Sequence, residues 1–254
     1  MAPAPGPPIL KGLRVAVISD IHSNLPALEA VLSDIGGEDP DQVWCLGDLV
    51  GYGAQPDACT KLVSEVTELC LAGNHDLVVR GDLDVRYFAM SAGAAARWTI
   101  KKVNAATLEF LAGLTPLGQS QGVGLYHASP RDPVWEYVLS ISQAGECLDV
   151  QQQRVCLIGH SHVACHFSRD GGDTTGEQAL DGAKVSMAKG EWLVNPGSVG
   201  QPRDGNPQAS YLVLDTDVGA AEFHRVRYDI ALTQRLMRDA GLPRWLVERL
   251  AIGR

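Results

Sequence analysis

The chain has 254 residues, 45% of them apolar, and its 21 basic and 30 acidic residues leave a net charge of −9. That length suits one large domain with a sizeable core. No run approaches the ~20 apolar residues of a membrane helix, and the acidic balance argues against a groove for nucleic-acid polymers.

The sequence opens Met-Ala-Pro-Ala-Pro-Gly-Pro-Pro, with neither a basic start nor an apolar run. It is therefore not read as a secretory signal. Residues 1–11 read as a disordered Pro-rich tail, and residues 12–254 as a single domain. The six cysteines form no Cys-x-x-Cys pair, so buried free thiols in a reducing cytoplasm are expected.

After the tail, residues 13–18 predict a buried strand. Residues 25–35 predict a helix, with Ser23 or Asn24 as cap and Pro26 in the first turn. A strand at 43–46, a helix at 56–66 and a strand at 68–71 follow. This alternation implies a parallel βαβαβ core with helices outside. Residues 77–121 read as a helical, cap-like insertion, with helices at 90–103 and 104–111. Strands return at 122–126 and 155–158, and 170–182 reads as a surface loop. Shorter strands at 183–187, 192–194, 211–214 and 222–227 suggest a second sheet, before helices at 230–240 and 243–250.

Metal-competent side chains collect at strand ends. The segments are Asp20-Ile21-His22, Gly47-Asp48, Gly73-Asn74-His75-Asp76, Tyr126-His127 and Gly159-His160-Ser161-His162. Ligands of open parallel sheets bind outside the carboxyl ends of the strands. Asp-x-His and His-x-His send two side chains to one face, because residues i and i+2 share it. Glycine before Asp48, Asn74 and His160 lets the backbone turn sharply. Two carboxylates, one amide and several imidazoles exceed one tetrahedral site, which points to two ions. Nitrogen and oxygen donors without thiolate favour Mn, Fe, Co, Ni or Zn over Ca or Mg. Two divalent ions, two aspartates and a hydroxide leave a local charge of about +1, which suits phosphate oxygens.

Taken in order, the five motifs resemble those of the calcineurin-like metallophosphoesterases. Gly51-Tyr52-Gly53 and the segment from Asn195 to Arg203 look like a bacterial and archaeal branch of small single-domain phosphoesterases. The resemblance implies an α/β fold: a four-layer α/β/β/α sandwich of two mixed sheets flanked by helices, with a dinuclear metal site at the sheet edge. It implies that Asp20, His22 and His162 hold one divalent ion, that Asn74, His127 and His160 hold a second, and that Asp48 bridges them, with manganese foremost. The implied activity is hydrolysis of phosphodiesters or phosphomonoesters, perhaps of nucleotides. The substrate would be a small phosphate ester, with no membrane partner and an open oligomeric state.

His75 follows a ligand without being one, so it is the candidate to protonate the leaving group or to stabilise phosphoryl charge. Asp76 is placed behind it as a hydrogen-bond acceptor, with a helix cap as the competing role. Asn24 is a candidate for binding substrate phosphate or for capping the helix that follows. Arg203 is a candidate phosphate ligand or a surface arginine. Tyr52 would line the cleft or pack. A non-catalytic metal-binding scaffold and a nuclease are the alternative functions.

Overall fold

The computed structural model describes residues 12–254, so the tail read over residues 1–11 lies outside the described residues. The first half runs β1 (Arg14–Ile18), α1 (Leu25–Glu38), β2 (Gln42–Cys45), α2 (Pro56–Val66), β3 (Leu69–Cys70), α3 (Asn74–Arg80), a 3-10 turn (Val85–Tyr87), α4 (Met90–Lys102), α5 (Ala105–Ala112), β4 (Leu117–Ser120) and β5 (Val123–Tyr126). The second half runs α6 (Ile141–Leu148), β6 (Val155–Leu157), β7 (Ala164–Arg169), β8 (Thr175–Gln178), β9 (Lys184–Ser186), β10 (Glu191–Pro196), β11 (Ala209–Asp215), β12 (Ala220–Val226), α7 (Ile230–Asp239) and α8 (Arg244–Glu248).

Two six-stranded sheets result, ordered β3-β2-β1-β11-β12-β9 and β4-β5-β6-β10-β7-β8. Both are mixed. β1, β2 and β3 are parallel, and β11 runs antiparallel to β1. β5, β6 and β10 are parallel, and β7 runs antiparallel to β10.

Strand periodicity explains the layering. Val15 and Val17 face the second sheet with Trp44, Leu125, Leu157 and Val194. Ala16 and Ile18, on the opposite pleat, meet Leu28 and Val31 of α1 and Val63 of α2. Cys156, Leu193 and Phe167 of the second sheet meet Ala144, Cys147 and Leu148 of α6. A strand covered on both faces has no solvent side, which is why residues 15–18 are apolar without alternation. The layers are therefore helix, sheet, sheet, helix. No helix among the described residues is long and apolar enough to cross a membrane.

Three expectations need correction. The late strands do not form a sheet of their own. β11 pairs with the open edge of β1 and carries β12 and β9 into the first sheet, while β10 inserts between β6 and β7 of the second. The expected loop at 170–182 contains β8, an exposed edge strand held to β7 by backbone pairing that its polar sequence hides. The segment 77–121 is not wholly helical. It ends in β4, and its helix α5 buries Leu111 in the core beneath the first sheet.

Candidate metal centre

The carboxyl ends of four strands, two from each sheet, open on one edge. β1 leads to Asp20 and His22, β2 to Asp48, β5 to His127, and β6 to His160 and His162. Asn74 opens α3 just beyond β3. All seven side chains are buried.

They fall into two groups. Ligand atoms of Asp20, His22, Asp48 and His162 lie within 4.8 Å of one another, and those of Asp48, His127 and His160 do the same. Asp48 belongs to both groups. Asn74 joins the second through Oδ1, which lies 3.3 Å from His127 Nε2.

Each carboxylate is divided between protein and site. Asp20 Oδ2 accepts from the Ser19 hydroxyl at 2.7 Å and the His160 amide at 3.1 Å, while Oδ1 is buried without a partner. Asp48 Oδ1 accepts from the His75 amide at 2.8 Å. Its Oδ2 lies 3.4 Å from His22 Nε2 and 3.6 Å from His127 Nε2.

The imidazoles are oriented by backbone carbonyls, which only accept. His22 Nδ1 therefore donates to Val50 at 3.1 Å, His127 Nδ1 to Leu46 at 2.9 Å, and His162 Nδ1 to Gln201 at 2.6 Å. In each neutral ring this leaves a lone pair on Nε2. His22 Nε2 and His162 Nε2 face one another at 3.1 Å with no proton between them. His160 Nε2 is buried and unpartnered. Converging lone pairs and carboxylate oxygens repel, and a divalent cation turns that repulsion into coordination. The donor set thus fits metal ions, with the carbonyl-locked tautomers that metal-binding histidines need.

Titration follows the same logic. Burial, only partly countered by the nearby His127, pushes the Asp20 carboxyl up to about 7. Burial and the neighbouring Asp76 raise Asp48 well above the carboxylate range. Burial, with the nearby Arg203 charge adding to it, holds His22, His75, His160 and His162 well below the usual imidazole range. Neutral imidazoles are the ligating form.

The remaining predicted residues separate. His75 is buried against Tyr52 and Phe88, with ring centroids 4.4 Å away in each case, and lies 4.8 Å from the His22 ring. Its Nδ1 has no partner. Asp76 does not support it. The Asp76 carboxylate accepts instead from the amides of Gly73 at 2.8 Å, Leu49 at 3.0 Å and Val50 at 3.1 Å. Its catalytic assignment is therefore corrected to the capping alternative: three backbone donors claim the carboxylate first. Asn24 is corrected likewise. Its oxygen caps α1 through Ala27 at 3.3 Å and accepts from Thr233, and its amide donates to Gly200 at 2.8 Å, so both polar atoms are engaged within the fold. Arg203 is half-buried beside the cluster. It lies 5.6 Å from the Tyr52 ring centroid and donates to Gln201 at 3.0 Å, while its Nε is unpartnered.

The motif reading missed the residues that hold this edge in shape. Asn195 donates to the Gly159 carbonyl at 2.7 Å and the Ser161 hydroxyl at 2.9 Å, and Ser198 donates to the Asp20 carbonyl at 2.8 Å. Their signal is the Asn-Pro-Gly-Ser run that ends β10 and leaves it, at one more parallel strand end. A cavity of about 530 Å³ opens at the other end of the sandwich, between Gln119, Arg154 and Thr216. It contains none of these groups, so size does not locate the chemistry.

The chain is 38% identical over 251 residues to an uncharacterised protein of Methanocaldococcus jannaschii, covering 94% of this chain and 98% of that one. The crystal structure of a metallophosphoesterase from Sphaerobacter thermophilus superposes with a TM-score of 0.87 at 39% identity, covering 96% of this chain and all (100%) of that one. A hypothetical protein of Pyrococcus horikoshii shares the fold, with a TM-score of 0.76 at 19% identity over 95% of this chain and 98% of its own. Residues 13–219 match the model of the calcineurin-like phosphoesterase superfamily domain, and the chain belongs to that family.

Proposed function

We propose that the chain hydrolyses phosphate esters, diesters or monoesters, at a site for two divalent ions. The observation that carries this reading is the pair of buried ligand groups sharing Asp48. In this reading Asp20, His22 and His162 would hold one ion and Asn74, His127 and His160 the other, with Asp48 available to both, and manganese is the first metal to try. The chemistry that two such ions supply is Lewis acidity, which acidifies water and neutralises phosphoryl oxygens.

The protein's own groups do the rest. His75 sits beside His22 and is held by aromatic contacts rather than by a carboxylate. Burial, with the Arg203 charge adding to it, disfavours its imidazolium form. It therefore acts as a neutral N–H donor to a phosphoryl oxygen, and the leaving-group acid role becomes the weaker of its two options. Arg203 adds a fixed positive charge on the same side, which draws the phosphate in and orients it.

The test is turnover of p-nitrophenyl phosphate and bis-p-nitrophenyl phosphate with added manganese, alongside metal content per chain. Activity in the metal-loaded protein only, with about two ions bound, supports the proposal. No rate above the metal-free control on these esters or on a nucleotide panel would sink it.

A further inference from the structure

The rim beside His75 is aromatic, and the fold presents it deliberately. Phe88 stacks on His75, and the Trp135 ring lies 5.8 Å from Phe88 and 6.1 Å from Tyr87. On the other side Tyr137 packs 4.1 Å from His160. Tyr87 is 74% exposed and Tyr137 41%. None of the four side chains is itself a candidate ligand, and Trp135 meets His160 only through its backbone.

Both segments that carry them are held by polar scaffolding. Asp132 Oδ1 accepts from the amides of Val134 at 3.0 Å and Trp135 at 3.1 Å, which fixes the turn that presents the indole. The Ser129 hydroxyl accepts from the amides of Arg131 and Asp132 at the base of the same loop. Asp84 caps the 3-10 turn by accepting from the Arg86 amide at 2.8 Å, which fixes the approach of Tyr87 and Phe88. Phe88 and Trp135 are half-buried and Tyr87 is exposed, so aromatic faces held this firmly at the mouth of a buried polar site mark a binding surface.

The occupant follows from the chemistry. The wall starts one ring contact from His75 and ends two contacts out, so it meets the group attached to a phosphate rather than the phosphate itself. Planar rings stack on such faces whatever their hydrogen-bonding edge. Building on the phosphoesterase reading above, we infer that the Tyr87–Phe88–Trp135 wall stacks the base of a nucleoside phosphate ester, which makes nucleotides the preferred substrate class.

The experiment uses the full metal-loaded chain and two matched pairs. Adenosine monophosphate is compared with ribose phosphate, and adenylyl-adenosine with glycerophosphoglycerol. Within the pair that is turned over, kcat/KM favours the base-bearing ester by about tenfold or more. That ratio falls toward one in Trp135→Leu and Phe88→Leu and recovers in Trp135→Phe, with metal content and melting temperature recorded for each variant. Equal kcat/KM within a pair would overturn this inference while leaving the phosphoesterase reading intact. Loss of both members alike in Trp135→Leu, with the ratio preserved, would overturn it too. A dimer by light scattering that Tyr87→Ser dissociates without changing the ratio would assign the wall to a second copy of the chain instead. If no member of either pair is hydrolysed or bound, the phosphoesterase reading itself fails.

Discussion

Asp76→Ala separates the two roles open to that residue. The carboxylate is fully buried and accepts from three backbone amides, those of Gly73, Leu49 and Val50. Truncation leaves three buried N–H groups unpaired at roughly 1–3 kcal/mol each, so the total cost is about 3–6 kcal/mol once water reaches some of them. For a domain of this size each kcal/mol shifts the midpoint by ~2–4 °C, which predicts a fall of roughly 6–24 °C. The assay is thermal unfolding after chelation, because bound metal would stabilise the folded state and mask the change. Asp76→Asn keeps one acceptor oxygen and melts between the two. A role in orienting His75 predicts the opposite pattern, an unchanged midpoint and a lower kcat. A metal-free Asp76→Ala protein that melts within about 2 °C of wild type would refute the capping argument.

Other outcomes follow from the same geometry. His75→Ala keeps its metal content and loses about 10²–10³ in kcat, as expected for removal of one hydrogen-bond donor to the phosphoryl group; loss of metal in that variant would show His75 to be a ligand. Asn24→Ala leaves KM unchanged and lowers stability by roughly 2–4 kcal/mol, because its three internal hydrogen bonds disappear; a raised KM without destabilisation would restore a substrate role. Metal affinity tightens as pH rises toward the Asp20 value of about 7. Below that value Asp20 is protonated in the folded state, so an incoming cation must displace the proton. Affinity then falls by about tenfold per pH unit, and calorimetry in buffers of different ionisation enthalpy registers proton release. Flat affinity between about pH 5.5 and 7 would show that Asp20 is already ionised or does not bind metal.

What the sequence made legible depended on how local each cause was. The ligand segments could be read because each places donors at a strand end, three of them beside a glycine turn, as in Gly159-His160-Ser161-His162. β8 could not be read, because its polar sequence Thr-Gly-Glu-Gln becomes a strand only through pairing with β7, a tertiary choice. The assignment of late strands to sheets was illegible for a similar reason. β10 and β11 are adjacent in sequence and alike in composition, yet they join opposite sheets. Asp76 and Asn24 show the limit at the site itself. Both lie in the right motif, but their partners are backbone amides and distant side chains such as Thr233, which no spacing reveals.

The backbone shows what makes this edge a site rather than a cluster. Five of the seven candidate ligands, Asp20, His22, Asp48, His160 and His162, adopt positive φ, between 49° and 62°. A left-handed conformation costs a non-glycine residue roughly 1–2 kcal/mol and persists only where surrounding structure imposes it. For the Asp20 and Gly159 turns the imposing structure is the end of β10 and the residues that follow it, which supply no candidate ligand. Val199 and Gly200 donate their amides to the carbonyls of Ser19 and Asp20 at 2.9 Å each, and Asn195 and Ser198 fasten Gly159 and Asp20. Gly200 is required at its position, since a Cβ there would collide with the Ile21 carbonyl. These contacts hold the Asp20 and Gly159 turns, and the ligand side chains of the edge converge. The backbone geometry of the Asp20 and Gly159 turns is thus set by hydrogen bonds from the end of a neighbouring strand. The cost of that order lies in the backbone of the ligand loops, and it is offset by a polar scaffold from a neighbouring strand end that supplies no candidate ligand.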